Sequence, residues 1–332
     1  MKTRDEAVKE LNELTQKGEP YFFIADFEGQ NFLVLSGPEV HAGSELFFDF
    51  GGVSNYQPML LGTDVGSSVR IISAVPPVFE EYAAAFRQAK KHIAYGNTYL
   101  INLTFASEVR LGPACTDLEK IFTSVQAKYK IWWADKFVCF SPETFIQIDK
   151  KGHITTFPMK GTADASLPEA RQMLEADRKE IAEHYTIVDL LRNDLALVAD
   201  AVTVKRFRYF EKITSHQGAL WQTSSEISGV LKPEFKKQYG SVMAAILPAG
   251  SVSGAPKKKT VEIITEIEPV PRGFYTGVAG FFDGEVLDAA VMIRFIEKSG
   301  DRFYYHSGGG IVFDSDVQKE YNELVKKIYL PV

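Results

Sequence analysis

The sequence predicts an α+β fold built on antiparallel sheets. Two observations carry this reading. Strand-like runs come first, a helix interrupts them, and strands return, with no alternating βαβ repeat. Near the end of the chain, tight Gly-containing turns join neighbouring apolar runs as hairpins.

The elements follow in order. Up to about residue 75, aromatic-rich strands ("YFFIADF", "NFLVLS", "LFFDF") alternate with Gly and Pro turns, and "VRIISAV" (69–75) is stopped by Pro76 and Pro77. Phe79, Tyr82, Phe86, Ala89 and Ile93 then recur at helical spacing until Gly96. "NTYLINLTFASEVRL" reads as a strand, and "KIWWADKFVCFS", "TFIQID" and "HITTFPM" as a strand-rich block. Ser166 and Glu169 form an S-x-x-E capping box, which predicts one long helix through Glu183 to about Ala199. Past Asp200 strands return. The stretch "GFYTGVAGFFDGEVLDAAVMIRFIEKSGDRFYYHSGGGIVF" reads as three antiparallel strands, turning at Asp283-Gly284 and at Ser299-Gly300-Asp301. A last helix is expected from Asp314 to Leu330. One domain is expected, with 1–75 as a strand-rich N-terminal lobe and 76–332 as the core.

The 332 residues are 45% hydrophobic and 24% charged, the balance of a soluble globular protein. The net charge of -6 argues against a general nucleic-acid surface, while a buried basic pocket for an acidic small molecule stays compatible with it. Cys115 and Cys139 have neither metal spacing nor a disulfide framework and read as small buried hydrophobes of a reducing compartment. The N-terminus lacks the apolar core of a signal peptide. No run of about 18 apolar residues is present, so no membrane span is expected. A cytoplasmic protein is expected.

Several stretches could carry chemistry. In the last helix, Glu320, Glu323 and Lys327 fall at i, i+3 and i+7, beside an apolar stripe of Val317, Tyr321, Leu324 and Ile328. They border the core, where a cleft could lie, but a solvated ion-pair edge accounts for the same spacing. Glu183, in "EHYTIVDLLRND", precedes Ile187 by one turn. Glutamates from two helices, with water and a substrate carboxylate, would suit Mg²⁺. "LPAGSVSGAPKKKTVEII" is a Gly-rich loop opening a helix; it is no P-loop and favours a carboxylate over a nucleotide. "SGGGIV" (307–312) lets backbone approach a ligand or is a plain turn. Arg294, mid-strand in "VMIRFIE", is either buried and paired or reaching a pocket. Glu143 in "FSPETF" follows a turn between strands, where an exposed glutamate is the simpler reading. In "FPMKGTADAS", Lys160 is a surface lysine or an amine placed for chemistry.

Taken in order, "SPETF", "PMKGT", "AEHYTIVDLLRND", "LPAGSVSGAPK", "GFYTGVAGF", "IR" and "HSGGGIVFDSDVQKEYNE" resemble the catalytic core of the chorismate-utilising enzymes. That family includes anthranilate synthase component I, aminodeoxychorismate synthase component I, isochorismate synthase and salicylate synthase. The resemblance spans about 80–330 and implies antiparallel sheets packed together and flanked by helices. Enzymes of the family that make anthranilate carry alanine where Lys160 stands, whereas aminodeoxychorismate synthases typically carry lysine. The resemblance therefore implies the aminodeoxychorismate branch, with anthranilate synthase component I or a weakly active scaffold that docks a glutaminase as alternatives.

The resemblance also implies roles. Lys160 would attack C2 of chorismate, which requires a neutral amine and hence a lowered pKa. Glu143 would protonate the C4 hydroxyl as it leaves. Glu183 and Glu323, supported by Glu320, would hold Mg²⁺ against a substrate carboxylate. Gly250, Ser251, Tyr275, Arg294, Gly309 and Lys327 would hold the carboxylates and the ring. Ammonia would come from a separate glutamine amidotransferase subunit, and a further enzyme would release p-aminobenzoate for folate synthesis. Two slots depart from the family pattern. Leu100 stands where water-adding branches carry a lysine base and ammonia-using ones usually glutamine, and Gln222 where a histidine is common. No Leu-Leu-Glu-Ser feedback motif is present, so tryptophan control is not expected.

Overall fold

A computed structural model describes residues 1–42, 45–57, 69–112, 117–215 and 218–330. Two large antiparallel sheets form its centre. In the first, Tyr21–Ala25 pairs with Asn31–Ser36 and Val278–Phe282; Leu287–Val291, Thr144–Ile148, His153–Thr156, Gly218–Leu231 and Met159–Asp164 continue it. In the second, Leu100–Leu111, Arg302–Ile311, Phe295–Ser299, Phe137–Ser141, Tyr129–Trp133 and Leu46–Phe50 lie side by side.

Tyr21–Ala25 shows why the sheets stack. All five residues are buried, because both faces of this strand are covered. With the two-residue period of a strand, Phe22 and Ile24 join a core that also contains Phe48, Phe50, Cys139 and Phe295 of the second sheet. Phe22 stacks on Phe48 at 4.2 Å. Tyr21 and Phe23 join another core, shared with Arg4–Lys17, Arg178–Val198 and Tyr239–Ile246. The helices Phe79–Ala94, Lys257–Ile267 and Val317–Lys326 cover the second sheet with a core of their own, around Ile101, Leu103 and Ile311. The α+β expectation thus stands, and sheets with flanking helices are what the structure contains.

Several local expectations need correction. The N-terminal stretch forms a helix, Arg4–Lys17, that the strand reading of 1–75 missed; Thr3 and Glu6 make its capping box. The remaining strands of that region divide between the two sheets. The Ser166 box does not form. Asp164 accepts the Ser166 hydroxyl at 2.7 Å, and Glu169 takes a left-handed φ of 63°. The long helix accordingly breaks at Asp177 into Ala170–Ala176 and Arg178–Val198. The three strands near the end are four, Val278–Phe282 and Leu287–Val291 in one sheet, Phe295–Ser299 and Arg302–Ile311 in the other. Arg294 therefore lies at the crossover between sheets, with φ of 55°, and not mid-strand. The glycines of "SGGGIV" continue a strand and are no turn. The last helix is Val317–Lys326, shorter than expected. Cys139 is buried; Cys115 lies outside the described residues. Among the described residues no helix is long and apolar enough to cross a membrane.

Candidate active site

A cavity of about 470 Å³ opens where the two sheets meet the Arg178–Val198 helix, the loop at Ser251 and the last helix. Lys160, Glu143, Glu183, Arg294, Glu323 and Lys327 all line it.

Lys160 reaches the cavity from Met159–Asp164, a strand whose pairing slips between Met159 and Thr162. Gly161 follows at φ of 87°; a Cβ there would come within 2.9 Å of Glu180 Oε2 and 3.0 Å of Leu174. Glycine thus lets this strand close on the helix that carries Glu183. The Lys160 ammonium sits 2.8 Å from Glu183 Oε2, with its side chain 32% exposed. Burial pulls its pKa down, but Glu183 first, then Glu323 and Glu180, more than offset this, and the net direction is up. The lowered pKa expected for a nucleophile is not present in this arrangement. Lys160 stands as an ammonium ion and becomes a nucleophile only when it is released from Glu183 and gives up a proton.

Glu143 sits between Phe137–Ser141 and Thr144–Ile148, with its backbone N–H donating to Ser141 Oγ at 3.1 Å. It is no exposed turn residue. Ser251 Oγ donates to its carboxylate at 2.6 Å. Burial pushes the carboxyl above its ordinary range, opposed by Ser251, Arg294 and Lys160. A carboxyl that holds its proton more tightly than an ordinary one is better suited to carry and donate it.

The last helix contributes a second group. Lys327 Nζ lies 2.8 Å from Glu323 and donates to the Gly308 carbonyl at 2.8 Å. Burial lowers the Lys327 pKa, with Glu323 opposing. At Gly309 an added Cβ would lie 3.6 Å from Glu320, 3.7 Å from Glu323 and 3.9 Å from Lys327. The glycine strand thus brings these three charged groups of the helix against one point of backbone. Glu320 is buried and accepts from Ser315 Oγ at 2.9 Å, one layer behind the cavity wall. Arg294 donates to the Tyr329 hydroxyl at 3.0 Å. Tyr275 lines the cavity, and burial pushes its phenol well up, so it stays protonated.

Ser251 lines the cavity, but Gly250 does not. A Cβ on Gly250 would meet Asp194 Oδ2 at 2.5 Å, and Asp194 pairs with Lys257 at 2.8 Å. Glycine is needed there so that the loop carrying Ser251 can rest on this pair. Leu100 and Gln222 both line the cavity, so the two departures from the family pattern face whatever binds there.

Glu183 and Glu323 offer hard carboxylate oxygens to one cavity, with Glu320 behind. In kind, they fit a Mg²⁺ ion. As they stand, each cavity carboxylate faces a lysine, and among the described residues no three His, Cys, Asp or Glu side chains gather into a ready coordination shell. A divalent ion held there would take over the charge that the two lysines now supply. Sequence reasoning missed the Asp194–Lys257 pair and His306; the latter stands two residues before the glycines already singled out.

Residues 68–331 match the family of chorismate binding enzymes. An uncharacterized PabA-like protein of Haemophilus influenzae is 42% identical, the match covering 99% of this chain and 98% of that one. Anthranilate synthase component 1 of Cereibacter sphaeroides is 34% identical over 75% of this chain and 51% of its own length. Aminodeoxychorismate synthase component 1 of Bacillus subtilis is 31% identical over 77% of this chain and 56% of its own length. Among solved structures, the menaquinone-specific isochorismate synthase MenF of Escherichia coli superposes with a TM-score of 0.75 at 18% identity, covering 98% of this chain and 81% of that one, a likeness of fold alone. With the ordered motifs gathered around one cavity and the family matched over most of its length, the chain belongs to the chorismate binding enzymes.

Proposed function

We propose that this chain catalyses the reaction of aminodeoxychorismate synthase component I, forming 4-amino-4-deoxychorismate from chorismate and ammonia. The observation that carries the reading is Lys160. It is an amine in a cavity that also holds the carboxyl of Glu143, a chorismate-family cavity whose anthranilate-making members carry alanine in that slot. Arg294 and Lys327 offer cations to the substrate carboxylates, and Tyr275 a face to the ring. Lys160, once it has left Glu183 and lost a proton to solvent, attacks C2 as Glu143 gives its proton to the departing C4 hydroxyl; ammonia then adds at C4 and expels the lysine as a neutral amine. Glu183 and Glu323, with Glu320, would hold Mg²⁺, which when bound neutralises a substrate carboxylate and orients the ring. A glutamine amidotransferase subunit would supply the ammonia. The Lys160–Glu183 bond favours a second reading, anthranilate synthase, because a lysine kept as ammonium leaves C2 open to ammonia itself.

Chorismate, Mg²⁺ and ammonium in one reaction, with products identified by mass, test both. The expected product is 4-amino-4-deoxychorismate. Anthranilate would move the assignment to the second reading, and no ammonia-dependent product would leave a scaffold. Leu100 adds a prediction. Adding water to the ring needs a base placed at the attacking water, and Leu100, in the slot where the water-adding branches carry their lysine base, has no lone pair. Little isochorismate or salicylate should form when ammonia is omitted. Isochorismate as the main product, with or without ammonia, would overturn the choice of branch.

Glu183→Gln and Glu323→Gln should each shift activity to higher Mg²⁺ concentrations, because each swap keeps size and removes a negative ligand. Magnesium titrations that superpose on the wild type for both variants would remove the metal from these carboxylates.

A further inference from the structure

His306 is a cavity-lining residue with no role in the scheme above. Its ring is clamped between aromatic faces, with Tyr275 4.9 Å away and Phe295 at 5.6 Å edge-on. Its Nε2 lies 2.9 Å from the carboxylate of Glu297. This contact joins the two strands of one hairpin: Phe295 pairs with His306, and Glu297 lies two residues farther along on the same face. The Glu297 side chain is 49% exposed, whereas that of His306 is only 8% exposed. The pair therefore runs from cavity wall to solvent. A carboxylate on Nε2 fixes the tautomer with its proton there and leaves Nδ1 as an acceptor. Among the described residues Nδ1 has no hydrogen-bond partner.

An ordinary core histidine looks different, and this chain contains one. His184 is wholly buried behind Lys160, its Nε2 on Ser225 Oγ at 2.6 Å, and it does not line the cavity. His306 differs in having one nitrogen on an exposed carboxylate and a place in the cavity wall. Among the described lining residues it is the one imidazole, the side chain whose ordinary pKa permits both uptake and release of a proton near neutral pH.

We propose that His306 is the base that converts ammonium to ammonia inside the cavity, with Glu297 as the positioning carboxylate that orients the ring and passes the proton to solvent. The inference rests on the reading of the site as an ammonia-using one. The step balances: ammonium gives one proton to Nδ1 and becomes ammonia, whose lone pair forms the new C–N bond. The imidazolium then loses its Nε2 proton to water by way of Glu297. Glu143, which has given its proton to the leaving hydroxyl, regains one from solvent. The charged and titratable groups near His306 are Glu297 on its hairpin and the Tyr275 phenol. Farther across the cavity stand Lys160, Arg294 and Lys327 with the carboxylates of Glu143, Glu180, Glu183 and Glu323.

The test compares wild type, His306→Gln and Glu297→Gln with chorismate, Mg²⁺ and ammonium chloride across pH, reading kcat/KM for ammonium and KM for chorismate. Near neutral pH His306→Gln should fall by about 100-fold, the scale of a lost general base, with KM for chorismate little changed. In alkaline solution, where free ammonia predominates, the ratio to wild type should climb back towards one. Glu297→Gln, at an exposed position that folding tolerates, should show a smaller loss, since the ring loses its positioning carboxylate, and that loss should likewise shrink in alkaline solution. A His306→Gln ratio that is flat across pH, or within twofold of one throughout, would overturn the proposal. The wild-type product alone tests the reading beneath it. Anthranilate would revise that reading while leaving the His306 ratio decisive, and an absence of any ammonia-dependent product would overturn both.

Discussion

Lys160→Ala should abolish most amination of chorismate, by about a thousandfold or more, while the chain stays folded. Removing a covalent nucleophile removes a route whose contribution is typically several kcal/mol of barrier, and each 1.36 kcal/mol is a factor of ten. The fold should survive because the Lys160–Glu183 pair is reached by solvent on both sides, at 32% and 15% exposure. Glu183, left without its lysine, keeps access to water that can hydrate its carboxylate. Lys160→Arg sharpens the result. Arginine keeps a cation for Glu183 but cannot lose its proton near neutral pH, so it restores the ion pair without the nucleophile. Both variants should therefore be inactive towards 4-amino-4-deoxychorismate, and only the alanine variant should lose the pairing with Glu183. Full rate with ammonium in either variant would remove Lys160 from the chemistry and leave it as a partner for Glu183.

The site was legible where a local pattern determines position. Glu320, Glu323 and Lys327 share a helix face by spacing alone, and the structure sets all three against Gly309. Lys160 was legible through the order of the motifs, but its state was not. The ammonium sits on Glu183 because the register of Met159–Asp164 against Gly218–Leu231 and the packing of a distant helix bring the two together, and no local pattern encodes either. Arg294 failed for a related reason. The apolar residues on both sides of it read as one strand, yet Leu287–Val291 and Phe295–Ser299 belong to different sheets, and sheet membership is a property of partners. The capping boxes show competition. Thr3 and Glu6 have no rival and close a box, whereas Ser166 finds Asp164 two residues away and spends its hydroxyl there. The His306–Glu297 contact spans nine residues and exists only because the hairpin register sets it.

Glu143→Gln should lower kcat by about 10²–10⁴, the range for loss of a general acid, while chorismate still binds. Glutamine keeps the shape and can still accept from Ser251, whose hydroxyl now holds the carboxylate at 2.6 Å. It cannot give a proton to a leaving hydroxyl. The same substitution should raise stability, and the pH dependence fixes the sign. Burial pushes the Glu143 carboxyl up, against Ser251, Arg294 and Lys160, so the folded chain holds this proton more tightly than the unfolded chain. The stabilising contribution of such a group is full below the unfolded carboxyl pKa and is lost as pH rises through the raised folded value. Above that window wild type buries a carboxylate ion, which is costly, and the amide removes that cost. Melting temperatures of the two proteins should therefore agree in acid, with the variant the more stable at neutral and alkaline pH. A variant that keeps its activity, or that melts below wild type by the same margin at every pH, would show that Glu143 is an ionised structural partner of Ser251 and no acid. The proton for the leaving hydroxyl would then have to come from another group in the cavity.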